Sequence, residues 1–337
     1  MKTIEAKLLL TTSPFLKQAE DMPYMMRQVI YALIPVAFAG IYFFGVSALL
    51  VIITCVAGAV GVEWLFTRQQ GNRIADGSAV LTGLLLALVL PPGIPLWMAF
   101  VGAAVSIVVG KLLFGGVGSN IFNPALVGRA FLQASFPVAI TTWAPVSDFS
   151  GFAAIRGHTF AIPFMKSAAD AVTSATPLAA MKFGGNLTAL NHLFMGNTAG
   201  SLGETSALLI LIAGAYLAWK NIINWRIPVS IFATVVVFAG ILNWLDPVKF
   251  ASPLFHLFSG GLMLGAIFMA TDPVTSPITQ RGCWIFGAGI GVLVIVIRNF
   301  GGLPEGVMYA ILLMNGLTPL ISRVTHPRIY GEVKRKT

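Results

Sequence analysis

Charge is scarce in this sequence. Only 10% of its 337 residues are Asp, Glu, Lys or Arg, whereas 57% are hydrophobic. Soluble domains run nearer a quarter charged, so an ordinary water-soluble globule is excluded and lipid is indicated. Cysteine is scarcer still. Cys55 and Cys283 both fall in apolar runs, which excludes a disulfide framework or a cysteine-rich metal site carried by this chain alone. They read as small hydrophobes. The four histidines, His158, His192, His256 and His326, are scattered. No Walker loop, G-x-G-x-x-G turn, HExxH or paired CxxC is present, and no Ser/His/Asp order suggests a nucleophile elbow. A self-contained active site of the soluble type is therefore not expected. No signal peptide is expected either, because Lys2, Glu5 and Lys7 precede a polar stretch rather than an apolar core with a cleavage site.

What the sequence does have is apolar runs of about 15–21 residues, close to the ~20 that span a hydrocarbon core. Long unbroken runs satisfy their backbone in lipid as helices, not as barrel strands. The runs predict ten helices, at 28–44, 46–66, 78–90, 95–110, 121–140, 206–219, 227–244, 253–270, 283–297 and 306–321. Several are short for a full span, which implies tilt, extension by flanking residues or discontinuity. The formal net charge is +9. In a soluble protein that would suggest nucleic acid, but here no basic–aromatic stripe is present and no nucleic-acid partner is expected. With the N-terminus inside, fifteen Lys and Arg fall in inside segments. Five (Arg156, Lys166, Lys182, Lys249 and Arg298) fall outside, and Arg129 lies within the fifth span. That bias puts both termini in the cytoplasm.

The organisation that follows is a cytoplasmic segment 1–27, a five-helix repeat 28–140, an extracytoplasmic loop 141–204, a second five-helix repeat 205–322 and a basic cytoplasmic tail 323–337. The 64-residue loop is rich in Ala, Gly, Ser and Thr but keeps Phe, Met and Ile, so it is expected to fold against something. Pro91 and Phe114-Gly115-Gly116 recur as Pro277 and Phe300-Gly301-Gly302 at one offset of 186. LLLALVLPPGIP also resembles GAIFMATDPVTSP, and GKLLFGG resembles IVIRNFGG. Either these are chance matches or the halves are repeats. Five spans separate them, so the second repeat is inverted, which places a site at the interface near the midplane, lined by broken helices.

The candidate polar residues lie in those regions. Gly118-Ser119-Asn120-Ile121-Phe122-Asn123-Pro124-Ala125 opens the fifth span. Asn-Pro there caps a helix, and the free N–H groups suit a polar or anionic ligand, unless the motif is a cap and nothing more. Thr271-Asp272-Pro273-Val274-Thr275 has the same character in the second half, and Asp272 either caps a re-entrant helix or holds a cation such as Na+, with Thr271 and Thr275. An unpaired Arg129 in a span is costly, so it faces a polar interior, a ligand phosphate or a carboxylate. Glu63, near a span end, reads as reaching water. In the loop, Asp170-Ala171-Val172-Thr173-Ser174-Ala175-Thr176-Pro177-Leu178 is physically a small-residue turn with several hydroxyls and one acid.

That last stretch resembles the covalent flavinylation motif, an acid, two spacers, Ser or Thr, usually Gly, then Ala-Thr, with Ser174 standing where Gly is usual. The whole chain is similar to the family of D subunits of the Rnf electron-transport complex, itself related to the B subunits of Na+-translocating NADH:quinone oxidoreductases. The likeness runs through Ser13-Pro14, LPPGIPLW, GGVGSNIFNPALVGRAFL, DAVTSATPL, GSLGETS and FMATDPVTSPIT. It implies an all-α polytopic protein, ten helices in two inverted five-helix repeats, urea-transporter-like, in the bacterial cytoplasmic (inner) membrane. It also implies FMN joined to Thr176 by a phosphoester, with Asp170, Thr173, Ser174 and Ala175 around it; Arg129 is a candidate cation to stabilise the reduced flavin, an assignment the resemblance does not supply. A noncovalent riboflavin would be sought at Asn120 and Asn123. The implied partners are the A, B, C, E and G subunits, chiefly the G flavoprotein, and a flavin transferase for maturation. The complex resembled couples electron transfer between ferredoxin and NAD+ to Na+ or H+ movement. Competing readings are a solute channel or secondary transporter, and a purely structural scaffold; the Thr176 motif separates the first reading from both.

Overall fold

The computed structural model describes residues 21–68, 76–146, 152, 157–163, 174–185, 187–247 and 249–326. Among them the chain is helical throughout, with no strand. Helix α1 (Met22–Phe44) turns into α2 (Val46–Thr67) through Gly45 alone, whose φ of +73° is open to glycine. α3 (Ser78–Leu88) follows, then α4 (Leu96–Val108), a 3-10 turn at Leu112–Phe114, α5 (Pro124–Ser135) and α6 (Pro137–Thr141). α7 (Pro177–Gly184), α8 (Leu190–Met195) and a 3-10 turn at Leu202–Glu204 lie in the region read as a long loop. The second half contains α9 (Ala207–Trp219), α10 (Arg226–Leu245), α11 (Pro253–Phe258), α12 (Leu262–Leu264) running into a π-helical turn at Gly265–Met269, α13 (Gln280–Phe300) and α14 (Val307–Thr325).

Six stretches are long and apolar enough to cross a bilayer: α1, α2, α4 with its following turn (Leu96–Phe114), α10, α13 and α14. α3 and α9 are apolar but short. Eleven residues of α3 reach only about 16 Å, and nine of them are buried, so neighbouring helices rather than lipid surround it. Two predicted spans are broken. The run 121–140 is two helices because Phe136 leaves the helical region before Pro137 starts a new turn. The run 253–270 divides at Ser259-Gly260-Gly261, where Gly260 sits at φ +66°. Hydrophobicity marks such segments as buried in the membrane region but says nothing of continuity.

The two halves pack in corresponding fashion. α2 lies on α3 and α4, and α4 on α5; α10 lies on α11 and α13, and α13 on α14. α1 against α9 joins the halves. Small residues set the approach. A Cβ on Gly83 of α3 would stand 2.7 Å from backbone atoms of Cys55 and Val56 in α2, and one on Gly287 of α13 2.8 Å from the Ile227 carbonyl oxygen of α10. The start of α1 and the end of α14 lie on one side of the bundle. Met25 lines a cavity with Asp272, and Thr318 and Thr325 of α14 bond Thr275 and Thr279.

Candidate functional site: two polar cavities along α5

The predicted polar residues separate into two cavities that share α5. At its N-terminus, Asn123 is the cap expected of an Asn-Pro start. Its Oδ1 accepts from the N–H groups of Ala125 and Leu126 at 3.1 and 3.4 Å. Its Nδ2 donates to the Met269 carbonyl at 3.3 Å, which ties α5 to the π-helical turn of the other half. Asn120 Nδ2 donates to the Phe122 carbonyl, and Asp272 Oδ1 accepts from Val274 N–H at 3.2 Å, capping a turn rather than a helix. Asn120, Asn123 and Asp272 line one cavity, otherwise walled mainly by apolar side chains such as Met25, Leu85 and Phe268. That mixture suits a small molecule with an apolar body and a few polar edges.

Glu63, placed at the water boundary by its position near a span end, does not reach water. It is 1% exposed, and Lys111 Nζ, on the wall of the same cavity, contacts its two carboxylate oxygens at 2.6 and 2.7 Å and Ser78 Oγ at 2.5 Å. The chain bends back so that the end of α4 meets the end of α2 and the start of α3, so the carboxylate finds a cation before it finds solvent.

The second cavity is lined by Arg129 and Gln133 of α5, Thr176, Glu204, Glu305, Trp143 and Tyr309. Thr176 and Arg129 thus line one cavity, although 47 positions apart. Thr176 is the N-cap of α7. It is 8% exposed, its Oγ1 accepts from Ala179 N–H at 3.2 Å, and Pro177 occupies the first helical position, where no donor is needed. Ser174 N–H donates to the Trp143 carbonyl at 2.9 Å, and Ala175 is exposed. Asp170 and Thr173 lie outside the described residues.

Arg129 is 6% exposed and its Nε has no hydrogen-bond partner. Among the described residues no ion pair joins it to either carboxylate of the cavity. A buried guanidinium in this condition leaves donors unused, at a cost a ligand anion would remove. The two carboxylates differ. Glu305 accepts from Arg298 Nη2 at 3.3 Å and from the N–H groups of Gly261, Gly306 and Val307. Burial pushes its carboxyl up, but Arg298, Arg129 and those backbone donors outweigh it, and the net displacement is downward. Glu204 has one long bond, from Ser201 N–H at 3.4 Å. Burial raises its carboxyl above the ordinary range, Glu305 raises it further, and Arg129 and Ser201 only partly oppose them. Gly261 separates the pair. Its N–H binds Glu305, and a Cβ there would stand 3.2 Å from Glu204 Oε1. Arg298, counted on the outer side from sequence, is fully buried and bonds the His256 and Ser259 carbonyls. Glu204, Glu305, Gln133 and Lys111 carried no role in the sequence reading. The signal that could have found the first two is their charge in an apolar chain, since a buried carboxylate needs a partner or a proton.

Fold and cavities together define a polytopic helical membrane protein that gathers its polar groups inside the bundle, in two separate sites along one half-length helix. The profile of the NQR2, RnfD, RnfE family matches residues 9–331. The chain belongs to that family. It is 43% identical over 338 residues to the D subunit of the proton-translocating ferredoxin:NAD(+) oxidoreductase complex of Clostridium ljungdahlii, covering 96% of each chain. It is 45% identical over 331 residues to the D subunit of the ion-translocating oxidoreductase complex of Stutzerimonas stutzeri, covering 92% of each. It is 40% identical over 338 residues to the D subunit of the Na(+)-translocating ferredoxin:NAD(+) oxidoreductase complex of Acetobacterium woodii, covering 98% of each.

Proposed function

We propose that this chain is the D subunit of an ion-translocating ferredoxin:NAD+ oxidoreductase and carries FMN in phosphoester linkage on Thr176. The observation that carries the reading is the unsatisfied, buried Arg129 in the cavity that Thr176 lines. A phosphoester on Thr176 would supply the hydrogen-bond acceptor that Arg129 Nε lacks, and the start of α7 would add its free N–H groups and positive dipole end. Glu204, which favours its proton, would spare the new anion a second negative neighbour. Trp143 and Tyr309 offer aromatic surface to a flavin. When bound, the isoalloxazine would supply one-electron transfer; the protein holds it and sets its electrostatics. Thr176 is thus an attachment point, not a catalyst.

The architecture supports the same assignment. The corresponding packing of α2–α5 and α10–α14 supports two inverted five-helix repeats, with the broken segments at α5–α6 and α11–α12 counted as crossings. Arg27, Arg68, Lys111, Lys220, Arg226, Arg281 and Arg323 stand at helix ends on the Asn120 side, against Lys182, Lys249 and Arg298 on the Thr176 side. That supports cytoplasmic termini and an extracytoplasmic Thr176 in the inner membrane. The Asn120–Asn123 cavity, with its apolar walls, is the place for a noncovalent riboflavin, and Asp272 on its rim for a coupling cation. Relatives of comparable identity are named for protons and for sodium, so overall likeness does not choose the ion. The partners are the remaining Rnf subunits, above all the G flavoprotein as electron partner, and a flavin transferase.

Denaturing electrophoresis under ultraviolet light tests the reading. Protein co-expressed with flavin transferase should give a fluorescent band, and Thr176→Val should darken it. A band that stays bright would move the attachment to Thr173 or Ser174; no fluorescence in the unaltered chain would favour the channel reading.

A further inference from the structure

We infer that flavin attachment precedes the docking of α7 onto the bundle, and that Lys182 is the latch that closes behind it. The inference rests on the FMN reading of Thr176. In the docked arrangement the acceptor hydroxyl is shut in. Thr176 is buried, its Oγ1 is engaged by Ala179 N–H, and its neighbours Pro177 and Leu178 are buried too. Leu178 packs with Leu193, Ala251 and Phe255 in a small core separate from the main one. At the far end of α7, Lys182 Nζ donates to the carbonyls of Arg298, Gly301 and Leu303 at 2.9, 2.5 and 2.9 Å. One side chain therefore pins α7 to the end of α13 and the turn that leads to Glu305.

The chemistry of attachment demands the opposite. The Thr176 Oγ1–P bond must form as the pyrophosphate P–O bond of a flavin dinucleotide breaks. AMP departs, and the hydroxyl proton passes to a base of the transferase. For this the hydroxyl has to enter a second protein's active site, with a lone pair in line with the leaving group. The cavity it faces is walled by Arg129, Glu204, Glu305 and Tyr309 of this same chain and leaves no room for another protein. α7 must therefore stand away from the bundle during the reaction. The cavity afterwards receives the flavin that α7 carries in, and the Lys182 bonds re-form at the opposite end of the helix from the reacting group. Lys182 is a positioning residue in this scheme and touches neither flavin nor transferase substrate.

The test uses the full chain, purified flavin transferase, flavin adenine dinucleotide and in-gel fluorescence followed over time. Chain synthesised with the transferase present should be labelled to completion. Chain folded first, purified in detergent and then given transferase and dinucleotide should label at least about tenfold more slowly. Lys182→Met should restore most of that rate, because it removes the three charge-assisted hydrogen bonds that hold α7 docked. A cysteine at Leu178, buried when α7 is docked, should react with maleimide faster in the Lys182→Met background. That readout reports undocking without any flavin. Equal labelling rates for early and late transferase in the unaltered chain would overturn the inference and leave the Thr176 reading standing. Absence of label even with early transferase would sink the Thr176 reading and the inference with it. If Lys182→Met does not elute as a single species, the early-against-late comparison in the unaltered chain decides alone.

Discussion

Removing the charge of Glu63 while keeping its volume, as Glu63→Gln, should destabilise the bundle severely. Lys111 Nζ sits at 2.6 and 2.7 Å from the two carboxylate oxygens, and the residues are 3% and 1% exposed. The pair joins three elements, since Ser78 Oγ at the head of α3 accepts from the same ammonium and donates to Asp76 at 2.7 Å. Losing one partner of a buried pair typically costs about 3–5 kcal/mol, chiefly because the other charge is left uncompensated. Asp76 lines a small adjoining cavity with Lys111 and offers a substitute carboxylate, so the lower end, about 3 kcal/mol or roughly two orders of magnitude in the unfolding equilibrium, is expected. The double variant Glu63→Leu with Lys111→Met should fall within about 1 kcal/mol of the unaltered protein, because it leaves no orphan charge. Ser78 would keep its bond to Asp76. Far-ultraviolet circular dichroism during reversible unfolding in mixed dodecyl sulfate–maltoside micelles measures both. A loss under about 1 kcal/mol for Glu63→Gln, the value of an exposed pair, would refute the reasoning. So would a double variant as unstable as the single one.

The Thr176 cavity and the helix packing give further expected outcomes. In Thr176→Val protein, the methyl ester of FMN, which keeps one negative charge across the pH range, should bind more tightly in mildly acidic than in alkaline buffer. Glu204 holds its proton above the ordinary carboxylate range, and an added anion raises it further, so binding takes up a proton and affinity falls as pH rises through that titration. Arg129→Gln should weaken the same binding about 10–100-fold. A pH-independent affinity, read by flavin fluorescence quenching, would remove Glu204 from the account. Gly83→Ala should cost about 1–3 kcal/mol in the micelle unfolding assay, since its Cβ would meet backbone of α2 at 2.7 Å. Gly61→Ala in α2, with nothing within 4 Å, serves as the control and should stabilise by up to about 1 kcal/mol.

Some of this protein is legible residue by residue. Apolar runs of bilayer length are a local property of composition, and α1, α2, α10, α13 and α14 lie where those runs put them. An Asn-Pro start predicts a capped helix from four residues, and Asn123 caps α5. The stretch around Thr176 that resembles a flavinylation motif is likewise readable along the chain, because the likeness lies in a few consecutive residues. Other features have no local signal. The contact of Asn123 with the Met269 carbonyl spans 146 positions, and the pairing of Glu63 with Lys111 spans 48. Whether a charged side chain near a span end meets water or a partner depends on which helix packs beside it, so Glu63 could not be placed from its own neighbourhood. The gathering of Arg129, Thr176, Glu204 and Glu305 around one cavity is decided in the same way. Each residue is positioned by its own helix or turn, and only the packing of both halves brings the guanidinium, with its unpartnered Nε, to the cavity that the hydroxyl lines. Composition determined that the chain lives in lipid; tertiary packing decided where, inside it, charge is tolerated.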